Sequence, residues 1–218
     1  MRIESVIFDC DGTLVDSELL ANMVLVEYAA SFGLHIPIEE AMRRYVGGKM
    51  ADCLAGIENQ LGHKLPETFV PELRARTAAA FRTHLRPMEG ARDLLASLQV
   101  PFCVASSGPR EKIELSLDTT GLALFFTRER IFSAYEVGFW KPDPRLFLHA
   151  ARVMGVPPER CAVVEDSLPG VTAGLAAGMP TFWFHPPPDM PKSVSALHNL
   201  TDLADALASS QSGARRLG

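Results

Sequence analysis

The feature that most constrains this chain is Asp9-Cys10-Asp11-Gly12-Thr13, set directly behind the apolar run Val6-Ile7-Phe8. A short run that is apolar at every position, rather than at alternate ones, suits a strand covered on both faces. Two carboxylates two residues apart at the end of such a strand are costly. At ~4 Å and an effective dielectric near 20, two like charges repel by roughly 4 kcal/mol. A chain that places them there has a cation to hold or a proton to move. The competing reading is a capped turn, because Asp, Gly and Thr are ordinary turn residues.

The rest of the chain repeats the same grammar. Ala162-Val163-Val164 is a second continuously apolar run, and strands are predicted over 3–8, 102–106, 161–165 and 181–184, with a weaker one over 130–133. Helices are predicted between them. The segment 90–99 places Ala91, Leu94, Leu95 and Leu98 on one face, 109–120 shows Ile113 and Leu117 before Gly121, and 142–154 shows Leu146, Phe147, Ala150 and Val153 before Gly155. Proline at the start and glycine past the end are helix punctuation. Strands alternating with helices imply βαβ units and a doubly wound parallel sheet, an α/β fold whose site lies at the carboxyl ends of the strands. Asp9, Ser106 and Glu165 each fall at such an end.

One stretch breaks the alternation. Between Asp16 and Arg86 the pattern is helical throughout. Leu19, Leu20, Met23, Val24, Glu27 and Ala30 mark an apolar face that stops at Gly33, and helices follow over 37–45, 49–61 and 67–83. The chain is therefore divided into a discontinuous core, 1–15 and 87–218, and an inserted helical cap over 16–86. The last ten residues, 209–218, are small and polar and are expected to fray.

Composition narrows the partners. A net charge of −5, with no basic run longer than Arg43-Arg44 or Arg215-Arg216, argues against a nucleic-acid binder. No apolar stretch approaches the ~18 residues of a membrane span, and no signal peptide is expected. Cys10, Cys53, Cys103 and Cys161 form no CxxC pair. Reduced thiols and a cytoplasmic location are expected rather than disulfides or zinc. None of the six histidines has metal-ligand spacing.

Four motifs in order carry a resemblance. The segment Phe8-Asp9-Cys10-Asp11-Gly12-Thr13-Leu14-Val15-Asp16-Ser17 resembles the first motif of the haloacid dehalogenase (HAD) superfamily in its phosphatase form. Val104-Ala105-Ser106-Ser107-Gly108 resembles the second, Lys141-Pro142-Asp143-Pro144 the third, and Val163-Val164-Glu165-Asp166-Ser167-Leu168-Pro169-Gly170 the fourth. The likeness runs from Ile3 to about Gly178, with the insertion where subclass I members keep a helical cap. It implies a Rossmann-like HAD core and a Mg²⁺-dependent phosphatase. Asp9 would be the nucleophile that becomes aspartyl-phosphate and Asp11 the general acid/base. Ser106 and Lys141 would complete the catalytic set. Asp9, Gly12, Ser106, Ser107 and Lys141 would hold the phosphate. The metal would be held by Asp9, Asp11 (through its backbone carbonyl) and Asp166, with Glu165 beside them. Each also has a plainer reading: Ser106 as a turn residue, Lys141 as solvated surface, Glu165-Asp166 as an acidic helix start.

The expected substrate is a small phosphate ester, a sugar or sugar-acid phosphate such as 6-phosphogluconate, turned over by a monomer. In the cap, Lys49 in Gly47-Gly48-Lys49, with Arg43 and Arg44, are candidates for a second anionic group of the substrate, or else a solvated helix end. A β-phosphoglucomutase-type mutase would carry a cap histidine near Ala21, and this chain has none between Asp9 and His35. A phosphonatase would need a singled-out cap lysine, and only Lys49 and Lys64 lie in the insertion. A non-catalytic metal-binding module is disfavoured because Asp9, Asp11, Ser106, Lys141 and Asp166 are all present.

Overall fold

The computed structural model describes residues 2–213. Strand β1 (Ser5–Phe8) leads into four helices, α1 (Glu18–Ala30), α2 (Ile38–Tyr45), α3 (Met50–Leu61) and α4 (Phe69–His84). The chain returns through α5 (Ala91–Ser97) to β2 (Phe102–Ser106), α6 (Arg110–Thr120), β3 (Ile131–Ser133), α7 (Ala134–Val137) and α8 (Arg145–Met154). It then crosses to β4 (Cys161–Glu165), α9 (Leu168–Ala176), β5 (Thr181–Phe184), β6 (Ser195–Leu197) and α10 (Asp202–Gly213). The strands form one sheet in the order β3-β2-β1-β4-β5-β6, and every pairing is parallel.

The continuously apolar strands are explained by two apolar layers. Val6, Phe8, Val104, Ala162 and Val164 face one layer, closed by Leu94 of α5, Ile113 and Leu117 of α6 and Leu203 of α10. Ile7, Cys103, Ala105 and Val163 face the other, closed by Leu146, Phe147 and Ala150 of α8 and Ala173 of α9. Neither face of β1 or β4 meets water, so neither has polar alternation. This is the doubly wound α/β architecture expected from the sequence.

Helices α1 to α4 build a separate apolar cluster around Leu25, Tyr28, Ile57, Phe69 and Leu73. The far end of α4 is different: Phe81 and Leu85 belong to the sheet's own layer. The two connections between sheet and helices run side by side. Val15 bridges to both Asp11 and Pro87, and the Asp16 N–H donates to the Arg86 carbonyl at 3.0 Å.

Several expectations need correction. The first strand begins at Ser5 rather than residue 3, and α8 begins at Arg145, three residues beyond the predicted start. The face assigned to the first helix is wrong. Leu19 and Met23 are 50% and 52% exposed, whereas Asn22, Leu25, Tyr28 and Ala29 are buried. Apolar residues occur on every side of α1, so spacing alone does not say which side packs. The strand β6 has only three residues, two of them exposed, and no apolar run to announce it. Of the tail expected to fray, residues 209–213 lie in α10, and 214–218 lie outside the described residues. All four cysteines are free and buried. Among the described residues no helix is long and apolar enough to cross a membrane.

Phe147 of α8 is fully buried in the apolar layer it shares with Ile7 of β1 and Cys103 of β2. Phe147→Ala should cost about 3–5 kcal/mol of unfolding free energy, read from urea denaturation with an unchanged m-value.

Candidate active site

The strand order assembles the site. With β2 and β4 paired on either side of β1, the ends carrying Asp9, Ser106 and Glu165 lie next to one another. Chain progression reverses across β1 and β4, and open α/β sheets bind ligands in the crevice at that switch point. A cavity of about 510 Å³ opens there, between the sheet ends and the inserted helices. Asp9, Asp11, Ser106, Ser107, Lys141, Glu165 and Asp166 all line it.

Its floor is a buried ion-pair network. The Lys141 ammonium donates to Asp9 Oδ1 and to Glu165 Oε1, each at 2.5 Å, and all three residues are buried. The other Glu165 oxygen accepts from the Ser167 N–H at 3.0 Å and from its hydroxyl at 2.8 Å. The Ser167 hydroxyl in turn accepts from the Gly170 N–H at 3.2 Å, capping α9. Asp166 Oδ1 accepts from the Thr13 hydroxyl at 3.1 Å. Ser106 Oγ accepts from the Gly108 N–H at 3.1 Å, which leaves its proton free to donate into the cavity.

Asp11 is held from both sides. The Ser17 hydroxyl donates to its Oδ1 at 2.6 Å and the Lys112 ammonium to its Oδ2 at 2.8 Å.

Burial governs the charges. It lifts the Asp9 carboxyl to about 7 against the pull of Lys141, with Glu165 and Asp11 adding to the rise. Burial likewise lifts Asp166 well above the usual carboxylate range, helped by Glu165 and Asp9. Glu18, at the start of α1, is raised to about 7 by burial and by Asp11. Burial also works to raise Asp11, but the Lys112 ammonium and the Ser17 hydroxyl overcome it and hold the group below its usual value. Five carboxyls thus gather around the ammoniums of Lys112 and Lys141.

That excess suits a cation. Asp9, Glu165 and Asp166 each offer an oxygen, all within 4.8 Å of one another. An all-oxygen carboxylate set is what a hard divalent ion takes, and such an ion would offset the cost that burial imposes on these groups. Both Glu165 oxygens are already engaged by Lys141 and Ser167, so Asp9 and Asp166 are the freer donors.

Residues 3–178 match the family model of haloacid dehalogenase-like hydrolases. The chain belongs to the haloacid dehalogenase-like hydrolase family. It is 36% identical over 209 residues to 6-phosphogluconate phosphatase of Escherichia coli, covering 94% of each chain. It is 30% identical over 200 residues to hexitol phosphatase A of the same organism, covering 88% of each. Its fold superposes on a HAD family hydrolase from Deinococcus radiodurans, crystallised with phosphate and sodium, at a TM-score of 0.77 and 32% identity, over 96% of this chain and 97% of that one. With named phosphatases at this identity over nearly the whole chain, this HAD hydrolase is a phosphoric monoester hydrolase.

Not every residue singled out in this HAD chain reaches the cavity. Arg43 is exposed and does not line it, and Arg44 is spent on a pair with Glu40 at 2.8 Å. Lys49 does line the cavity, at its exposed rim. The Gly12 N–H donates to the Val15 carbonyl at 2.9 Å. Gly12 has φ of +74°, and a Cβ there would run into the Asp166 carboxylate.

Sequence reasoning missed Lys112 and Glu18, and it missed Arg74 and Arg82 of α4, which also line the cavity. The only signal for Lys112 was its place in the first turn of the helix behind Ser106. Nothing in the spacing of α4 marks which of its arginines faces inward.

A Cβ at Gly170 would overlap the Glu165 carboxylate, which is pinned between Lys141 and Ser167. Gly170→Ala should therefore displace Glu165 and Lys141 and lower kcat at least tenfold while the far-ultraviolet circular dichroism stays native. Wild-type kcat in that variant would show that the network tolerates the displacement.

Proposed function

We propose that the chain is a Mg²⁺-dependent phosphatase of a small sugar or sugar-acid phosphate, working through an aspartyl-phosphate on Asp9. The observation that carries this reading is the placement of Asp9 and Asp11 in one cavity, one paired with a buried ammonium and the other held at both oxygens. The first relatives named above act, by their names, on 6-phosphogluconate and on hexitol phosphates.

In this reading an Asp9 oxygen attacks phosphorus as the bond to the ester oxygen breaks. Asp11, held as a carboxylate by Ser17 and Lys112, takes up a proton from solvent as the anionic ester binds beside it and gives that proton to the departing oxygen, so the alcohol leaves neutral. Asp11 then takes a proton from water, which attacks the phosphoryl group, releases phosphate and regenerates the Asp9 carboxylate. Lys141 and the Ser106 hydroxyl face the charge on the phosphoryl oxygens. Bound Mg²⁺, held by Asp9, Asp166 and the Asp11 carbonyl with Glu165 behind, would supply further positive charge against those oxygens. The inserted helices roof the cavity and, over the bound ester, exclude water until the aspartyl-phosphate has formed. Lys49 at the rim offers a cation to a second anionic group on the substrate.

Phosphatase is preferred to mutase because Ala21, the position compared with a mutase's cap histidine, itself faces the cavity. The four free, buried thiols support a reducing, cytoplasmic setting, and a monomer is proposed with it.

The deciding experiment is phosphate release across sugar phosphates, sugar-acid phosphates and nucleotides, with Mg²⁺ or with EDTA. Release concentrated on one sugar or sugar-acid phosphate, lost in EDTA and restored by Mg²⁺, is the expected result. Metal-independent release would remove the metal from the proposal. Asp9→Asn should lower kcat on the order of 10⁴- to 10⁶-fold, the scale for losing a covalent nucleophile, while the protein still folds. Retained turnover would rule out the covalent route.

A further inference from the structure

The Asp11 side chain sits on a connection, outside any strand or helix, and an aspartate carboxyl has a broad torsional preference of its own. Something beyond its backbone must fix its direction. Two donors do so from two different elements. Ser17, at the head of α1, takes Oδ1, and Lys112, in the first turn of α6, takes Oδ2 at 2.8 Å.

Lys112 has neighbours of its own. Its ammonium lies 5.7 Å from the centre of the Phe81 ring, a fully buried residue at the end of α4 that packs into the sheet layer. On the opposite side, a Cβ at Gly108 would stand 3.6 Å from Lys112 Cδ, 3.5 Å from Ser106 Oγ and 3.8 Å from Asp11 Oδ2. Lys112, Ser106 and Asp11 therefore converge on one glycine, with no side chain between them. Phe81 is the contact that α4 makes with this lysine, whose side chain otherwise lines the cavity.

We infer that Lys112 is a positioning residue for phosphoryl transfer: seated against Phe81, its ammonium sets the direction of the Asp11 carboxylate and links that direction to the seating of α4. The inference rests on the reading of Asp11 as acid/base. Lys112 acts through Asp11, by a hydrogen bond, and Lys141 and Ser106 remain the groups that face the phosphate. A reacting group misplaced by about 1 Å can cost on the order of 100-fold in rate, so loss of the ammonium should appear in kcat rather than in binding.

The test compares wild type, Lys112→Met, Lys112→Arg and Asp11→Asn in the full chain. The readouts are kcat and KM for the best ester in the panel, and the inhibition constant of inorganic phosphate. Lys112→Met should lower kcat about 10- to 100-fold and leave KM and phosphate inhibition unchanged. Lys112→Arg, which keeps a donor cation, should recover most of kcat. Should Lys112→Met lose its native melting transition, Phe81→Leu reads the same linkage and should lower kcat a few-fold at constant KM. Wild-type kcat in Lys112→Met beside an inactive Asp11→Asn overturns the inference alone. A rise in KM and in the phosphate inhibition constant, with kcat kept, also overturns it and makes Lys112 a substrate-binding cation. Wild-type kcat in Asp11→Asn would remove the acid/base reading and the inference with it.

Discussion

Much of this molecule is arranged around one buried ammonium. Lys141 stands between Asp9 and Glu165, and a charge removed from water is tolerable only when paired and fully hydrogen-bonded. Each partner brings its own element. Asp9 comes from the end of β1, Glu165 from the end of β4, and Lys141 from the loop ahead of α8. The pairing then propagates outward. Glu165 needs its second oxygen satisfied, so Ser167 turns back to it while also capping α9. Gly170 must lack a side chain because the carboxylate fills the space where a Cβ would stand. The start of α9, the switch point of the sheet and the candidate nucleophile are thus parts of one electrostatic unit.

The parallel sheet makes that unit affordable. With every strand pointing the same way, the carboxyl ends collect on one edge, and both faces stay apolar beneath α5, α6 and α10 on one side and α8 and α9 on the other. The polar chemistry is confined to the rim of an otherwise dry core. The helical insertion leaves the sheet directly behind Asp9 and Asp11 and returns at Pro87, with Val15 bridging the outgoing and returning chains. The roof of the cavity is therefore joined to the sheet beside Asp9 and Asp11. Phe81 and Leu85 fasten one end of it into the sheet layer, while Leu25, Ile57 and Phe69 give the remainder a core of its own.

What could be read in advance follows from how local each signal is. The runs Val6-Ile7-Phe8 and Ala162-Val163-Val164 announce strands covered on both faces, because their apolarity is continuous. Asp9, Ser106 and Glu165 announce a site, because each closes such a run. These signals lie within a few residues of each other in the chain. Arg43 is the opposite case: its charge is visible in the sequence, but its place outside the cavity is not. Lys112 was overlooked because one lysine in a first helical turn is unremarkable until α6 is laid beside Asp11. The face of α1 was misjudged because its apolar residues surround the helix.

The sequence by itself determined the strand ends, the acidic and cationic residues placed at them, and the presence of a helical insertion between the first two strands. Those depend on residue type, on spacing along the chain and on the steric rules of backbone and turn. The tertiary structure alone decided which groups meet: that Lys141 lies between Asp9 and Glu165, that Lys112 and Ser17 divide the two oxygens of Asp11, and that α4 rather than Arg43 faces the cavity. Those are contacts across 24 to 132 positions of chain in the case of Lys141 and 101 in the case of Lys112. Their distances follow from how sheet and helices pack, a property no local window of sequence contains.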